Sequence, residues 1–369
     1  MKKKLRIFAL GGNEVSPTGE IDPVSGKIKI ADLPEQWKRT SETCEILAKI
    51  IQNNPDDYYI LTHGNGPQVG NIILRAEYSR PILHPLPLDV CDADTQGAMG
   101  YMLAQLTNSL RIIGIDRIVA ETITRIVVDE NDDDFKNPTK FIGPAYKKKE
   151  AEKIQEEEKH LMKFYKKDEN GEELWRWVVP SPIPIDILEI DIIDINIRSG
   201  IIPIAVGGGG IPVKKVNPEI INEEEIYKCN YDIQYKRKSI PGQKPLSIYT
   251  GVEAVVDKDL ASSLLGTMLI EKAKLKNEEL DVELFIFTDV DGAKLNYQQP
   301  NQEDIRKISL KEITELYNNN VFPAGSMGPK IKAAIGFLEG GGTKVYITKT
   351  ELYYDTINGK AGTTIVRPN

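Results

Sequence analysis

The chain has 369 residues, 40% of them hydrophobic and 28% charged, a balance that can bury a large core and lies in the range of soluble globular proteins. Its formal charge of −8 argues against nucleic acid or an anionic membrane as a main partner, because both require a basic face. Three scattered cysteines, Cys44, Cys91 and Cys229, form no CxxC pair or metal spacing and read as reduced thiols of a cytoplasmic protein.

The lysines at 2–4 precede only the short run 5–10, which is too brief to span a membrane or act as a signal segment and reads as a first β-strand. Further runs of strand length follow at 58–62, 117–128, 201–206, 284–287 and 344–348. Most are continuous rather than alternating, as parallel strands buried on both faces are. Helical patterns at 34–52, 67–78, 95–112, 186–199, 257–268, 310–318 and 329–338 lie between them. That alternation predicts one doubly wound α/β domain over residues 1–369, with ligands bound beyond the carboxyl ends of the strands. Two stretches break the rhythm. Residues 129–182, with an acidic opening and a Lys/Glu-rich amphipathic piece, read as a subdomain projecting from the sheet. Residues 214–247 are polar and proline-punctuated, an extra insertion of undefined structure.

The loops after the runs carry the notable residues. Gly11, Gly12 and Asn13 follow the first; such glycines form either an anion-binding nest or a tight turn. His63, Gly64, Asn65, Gly66 and Pro67 follow the second and open a helix, whose N-terminus attracts anions and to which Asn65 adds a neutral donor. Four glycines, Gly207 to Gly210, end the run at 201–206, an entropic cost that points to close backbone approach. Asp257, Lys258 and Asp259 stand at a helix start, either as a cap or as site residues. Gly325, Ser326, Met327, Gly328 and Pro329 open the last long helix and put Lys330 in its first turn. Neither GxGxxG nor GxxxxGK[ST] is present. The three histidines, His63, His84 and His160, make no obvious triad or zinc cluster. Donors and lysines with few bases match phosphoryl transfer, where positioning and charge stabilisation dominate.

The order of these loops resembles carbamate kinase, of the amino-acid kinase family, over nearly the whole chain. The resemblance rests on ALGGN (9–13), THGNGPQVGN (62–71), PLDVCDADTQGAMGY (87–101), KNPTK (136–140), WVVPSPIPIDI (177–187), GGGGIPV (207–213), GVEAVVDKDLAS (251–262), TDVDG (288–292) and GSMGPKI (325–331). It implies a three-layer α/β/α sandwich with a mainly parallel sheet, a homodimer, and Mg²⁺-dependent, reversible transfer between carbamoyl phosphate with ADP and carbamate with ATP. By motif, Gly11, Gly12, Asn13, Gly64, Asn65, Gly66, Gly207, Gly208 and Gly209 would hold carbamoyl phosphate. Lys136 and Lys140 would reach in from the projecting subdomain, and Lys258 and Lys330 would flank the transferred group with Asp259 holding them. Thr288, Asp289, Val290, Asp291, Gly292, Met327 and Gly328, with Lys330, would line the nucleotide side, and Mg²⁺ would arrive on the nucleotide phosphates rather than on a protein site. Two readings compete with this one: transfer to another carboxylate or carbamoyl acceptor, and a silent nucleotide sensor. Glu14 departs from the pattern, a carboxylate directly after GGN that either repels a dianion or is turned away and paired.

Overall fold

The computed structural model describes residues 3–16, 31–168, 171–216, 247–323 and 327–367. Strand β1 (Lys4–Leu10) leads through the first glycine loop toward helix α1 (Leu33–Gln52), which starts at a capping box of Asp32 and Glu35. There follow β2 (Tyr58–His63), α2 (Gly66–Ser79), α3 (Leu88–Leu103), α4 (Leu106–Ile112), β3 (Val119–Glu121) and β4 (Arg125–Val128). Next come β5 (Lys140–Lys147), α5 (Lys148–Glu158), β6 (Met162–Lys167), β7 (Glu173–Val179), β8 (Pro184–Ile187), α6 (Ile190–Arg198), β9 (Ile202–Ile204), β10 (Ile211–Val216) and β11 (Ile248–Gly251). The last third holds α7 (Lys258–Leu275), β12 (Asp281–Phe287), β13 (Lys294–Leu295), β14 (Glu303–Asp304), β15 (Lys307–Ser309), α8 (Leu310–Asn318), α9 (Met327–Glu339), β16 (Lys344–Thr348), α10 (Tyr353–Ile357) and β17 (Thr363–Val366).

The central sheet runs β15–β17–β16–β12–β1–β2–β9–β3, and every neighbouring pair is parallel except β16–β17. The alternation of β1 side chains separates two cores. Leu5, Ile7 and Ala9 pack with Leu265 and Leu269 of α7 and with Ile331 and Phe337 of α9. Phe8 and Leu10 point the other way, to Leu47 and Ile50 of α1, Leu103 of α3 and Leu110 of α4. The result is the expected three-layer α/β/α sandwich, and each fully buried Leu, Ile or Phe contributes about 1.5–3 kcal/mol. Because β1, β2, β9 and β12 are parallel, their carboxyl ends and the loops that follow them gather at one edge.

A second sheet runs β11–β10–β4–β8, and a third, antiparallel and ordered β5–β7–β6, carries α5. The third sheet sits on α2, where a Cβ on Gly70 would come within 3.2 Å of the Gly143 Cα, and Ile142 and Val179 join Val69 and Ile73 in a separate apolar cluster. Of the insertion expected at 214–247, residues 217–246 lie outside the described residues; its start, through Val216, completes β10 and pairs with β11.

Three boundaries differ from the sequence reading. The run 117–128 is two strands in two sheets, β3 and β4. Thr122 to Thr124 form the crossing, and the Gln96 side chain takes the Thr124 N–H that a continued ladder would have used. No Gly or Pro marks that crossing, so local chemistry does not reveal it. The pattern at 95–112 begins earlier, at Leu88, and divides into α3 and α4. The segment 186–199 opens as the end of β8 before α6 begins.

Candidate active site

At the carboxyl edge, the first two glycine loops meet. The Gly64 N–H donates to the Leu10 carbonyl at 3.0 Å, and a Cβ on Gly64 would touch Lys258 Cδ at 3.4 Å and Gly12 N at 3.5 Å. Gly11 is pressed against the Phe287 carbonyl at the end of β12, with 3.0 Å to an added Cβ. Asn13 is tied back through its carbonyl, which accepts from Arg39 Nε at 2.9 Å. Gly66 opens α2 with free space where a Cβ would be.

The third loop is the most constrained. Val206, Gly208, Gly209 and Gly210 all have positive φ (44°, 68°, 102° and 87°), and for a β-branched valine this is a strained conformation costing on the order of 1–3 kcal/mol. An added Cβ would lie 2.4 Å from His63 Nε2 at Gly207, 2.2 Å from Asn65 Nδ2 at Gly208 and 2.1 Å from the Val256 carbonyl oxygen at Gly209. The run thus lies flat between the β2 loop and the chain entering α7. His63 is fully buried, and burial lowers its pKa to about 4, so it is a neutral packing element rather than a charged ligand group.

The charges converge on Asp259, which is buried in the first turn of α7. Lys258 Nζ donates to Asp259 Oδ1 at 2.7 Å and to the Ala9 carbonyl at 3.3 Å, while Lys330 Nζ reaches Asp259 Oδ2 from α9 at 2.9 Å. Burial alone would raise the Asp259 pKa, but the two ammonium groups overcome it and hold the carboxyl well below the usual range. Burial also lowers the Lys258 pKa, with Asp259 opposing and Lys330 assisting, whereas at Lys330 burial is outweighed by Asp259 together with Asp257 and Asp289 and the pKa is raised. Two cations on one anion leave a net positive charge beside the glycine loops. Asp259 does not cap its helix; Asp257 does, with Oδ1 accepting from the N–H groups of Asp259 and Leu260.

Lys140, at the start of β5, reaches this edge and pairs with Asp257 Oδ2 at 3.3 Å. Lys136 does not join the set: its side chain is 71% exposed and faces Asp133 at 3.5 Å. Lys140 is within reach because it begins a strand seated on α2, whereas Lys136 ends a surface turn.

Beyond β12, the Thr288 N–H donates to the Thr348 carbonyl at 2.9 Å and its hydroxyl to Asp289, which is exposed. Val290 and Asp291 are half-buried, and Asp291 accepts from Arg306 Nη1 at 2.8 Å. Gly292, at φ 104°, packs on Thr363. Met327 and Gly328 open α9, with the Gly328 N–H on the Pro323 carbonyl at 2.9 Å, while Gly325 and Ser326 lie outside the described residues.

Glu14 is buried and turned toward α1. Its Oε2 accepts from Arg39 Nη2 at 3.1 Å and its carbonyl from the Thr43 hydroxyl at 2.6 Å. Burial raises its pKa, offset by the Thr350 hydroxyl facing it and by Arg39. The carboxylate is paired, by an arginine that no local pattern singles out.

Sequence reasoning also missed the groups behind Asn65. Its Nδ2 donates to Asp92 Oδ1 at 3.0 Å and Thr95 Oγ1 at 2.9 Å, so Asn65 is not the spare donor expected of it. Gln96 Nε2 holds the Gly207 carbonyl at 3.1 Å. These three stand on α3, in a block whose likeness to a family was visible but whose individual roles were not.

A model of the amino acid kinase family matches residues 277–349. The chain is 35% identical to the carbamate kinase of Thermococcus kodakarensis over 365 residues, 98% of each chain. It is 36% identical to that of Pyrococcus horikoshii over 364 residues, covering 97% of this chain and 98% of the relative. Among solved structures, the carbamate kinase from Giardia lamblia bound to AMP-PNP matches with a TM-score of 0.76 at 32% identity and 99% coverage of both chains.

Proposed function

Because the chain belongs to the carbamate kinases of the amino acid kinase family, and is a carbamate kinase-like phosphotransferase, we propose that the loops at 11–13, 64–66 and 207–209 cradle carbamoyl phosphate while Lys258, Lys330 and Asp259 stabilise the group in transit. The observation carrying this is the buried Lys258–Asp259–Lys330 bridge between the first turns of two helices, at the mouth of three glycine loops. The bond between phosphorus and the carbamoyl oxygen breaks, a bond from phosphorus to a terminal oxygen of ADP forms, and carbamate leaves as an anion. Charge balances at −5 on each side when carbamoyl phosphate is a dianion and ADP a trianion, and no proton moves. No base is therefore required, consistent with a neutral His63. The requirement is to bring two anions together, which backbone N–H groups and paired ammonium groups meet. Lys140 would move from Asp257 to the substrate, and Lys136 would act only if its turn swings inward. A silent sensor would have no use for two lysines buried around one carboxylate.

The residues after β12, with Met327 and Gly328, would receive the nucleotide. Among the described residues no group of three or more His, Cys, Asp or Glu could cage a cation. Magnesium would ride on the nucleotide phosphates, where it neutralises charge, and the loop after β12 offers an exposed carboxylate, Asp289. A homodimer belongs to the same reading. The outer edge of β3 is unpaired among the described strands, and Tyr101, Ile112, Ile118 and Ile123 are exposed around it. No helix among the described residues is long and apolar enough to cross a membrane, and we place the enzyme in the cytoplasm, in arginine metabolism.

A coupled assay with ADP and carbamoyl phosphate should show rapid ATP formation; nucleotide binding without turnover would instead mark a sensor. Glu14→Ala should leave the KM for carbamoyl phosphate within about twofold of wild type, because the carboxylate is turned toward α1 and its charge is met by Arg39. A several-fold fall in KM would mean that the carboxylate does face the substrate.

A further inference from the structure

Asn65 enters the site with one side of its amide committed. An amide nitrogen has two N–H donors, and both are engaged, one by Asp92 Oδ1 and one by Thr95 Oγ1. The Thr95 hydroxyl in turn donates its own proton to the Asp92 carbonyl at 2.7 Å, so it meets Asn65 as an acceptor. A flipped amide would set its carbonyl oxygen against the Thr95 hydroxyl oxygen, whose proton is already given to the Asp92 carbonyl. The hydrogen bonds favour the orientation seen. Asn65 Oδ1 accepts from no described residue and is not among the buried polar atoms that lack a partner, so it opens to solvent-accessible space beside Gly208, where an added Cβ would lie 3.0 Å from it. An acceptor among loops rich in donors is out of place unless the ligand presents a donor there.

A carbamoyl group carries such a donor, its amino group. We propose that Asp92 and Thr95 are positioning residues that fix the Asn65 carbonyl oxygen toward the substrate, where it accepts an N–H of the carbamoyl group and so selects a carbamoyl phosphate over an acyl phosphate. This rests on the reading of the glycine loops as the carbamoyl phosphate site. The arrangement has a further consistency. Asp92 is 2% exposed, its Oδ2 has no partner, and burial, reinforced by Asp89 and Glu253 and opposed by Asn65, pushes its pKa well above the usual carboxylate range. A neutral carboxyl can accept from Asn65 without adding negative charge beside a dianion.

The test compares carbamoyl phosphate with acetyl phosphate, in which a methyl group replaces the amino group, as phosphoryl donors to ADP in the full-length enzyme. Asn65→Leu, Thr95→Val and Asp92→Ala should each lower the ratio of the two kcat/KM values by about tenfold, the worth of one hydrogen bond. The fall should be larger for carbamoyl phosphate than for acetyl phosphate. Asp92→Asn, whose carbonyl oxygen can still accept from Asn65, should keep the ratio. Loss of packing lowers both donors together and does not move a ratio, so a purely structural role is distinguishable, and Thr95→Val carries the test if Asp92→Ala does not fold. An unchanged ratio in both Asn65→Leu and Thr95→Val overturns the proposal. A wild-type enzyme that makes no ATP from either donor refutes the phosphotransferase reading itself, a separate result.

Discussion

Asp259→Asn is expected to lower kcat by about 10²–10³-fold while leaving the nucleotide Kd within a few-fold of wild type, with Lys258→Ala and Lys330→Ala following the same pattern. Each ammonium group now rests on its own carboxylate oxygen, 2.7 Å and 2.9 Å away. An asparagine offers one acceptor and turns its N–H₂ toward the other lysine. One cation is left without a counter-ion in a buried place, and either moves off or gives up its proton. A group that contributes only where charge develops in the transition state shows its loss in kcat, and one such donor is worth about 3–4 kcal/mol. The helix start is not at risk, because the cap belongs to Asp257 and asparagine at 259 leaves it untouched. Rapid-quench turnover and calorimetric nucleotide binding on the same samples decide the matter. An asparagine variant within fivefold of wild-type kcat would remove the bridge from the mechanism.

The parts of this site legible in the sequence are those whose chemistry is local. Glycine runs at strand ends, a lysine between two aspartates and a lysine one turn into a helix each announce a loop or a terminus without knowledge of the fold. The parts that escaped depend on neighbours far along the chain. Nothing near Asn65 says that Asp92 and Thr95, 27 and 30 residues later, take both of its N–H groups. Nothing near Glu14 says that Arg39 will neutralise it from α1. The division of 117–128 between two sheets has the same cause. A strand pattern records apolar and β-branched composition, and both halves carry it, but the sheet that each half joins is settled by tertiary pairing. Lys136 and Lys140 illustrate the limit in reverse, since four residues of spacing put one at the rim of the site and the other in solvent.

Gly209→Ala should be the most damaging single-methyl change in the third loop, costing about 3 kcal/mol or more of stability and most of the activity. Two independent terms add. At φ 102° an L-residue meets steric strain of roughly 1–2 kcal/mol that glycine does not. The new Cβ would also stand 2.1 Å from the Val256 carbonyl oxygen and 2.7 Å from its carbon, backbone atoms that cannot rotate away as a side chain tip can. Either the glycine run lifts or Val256 is pushed back, and Val256 immediately precedes Asp257, Lys258 and Asp259. A displacement there misplaces the ammonium groups, and an error on the order of 1 Å in a positioned group can cost about 10²-fold in rate. Gly97→Ala is the matched control, since Gly97 lies exposed on α3 with nothing within 4 Å of an added Cβ, and alanine there should be neutral or stabilising by about 0.5–1 kcal/mol. Denaturant unfolding of the two variants beside wild type reads the stability difference, and the ATP-forming assay reads the rate. If Gly209→Ala unfolds at the wild-type midpoint and turns over normally, the glycine run does not set the position of α7, and the contact with Val256 carries none of the site's geometry.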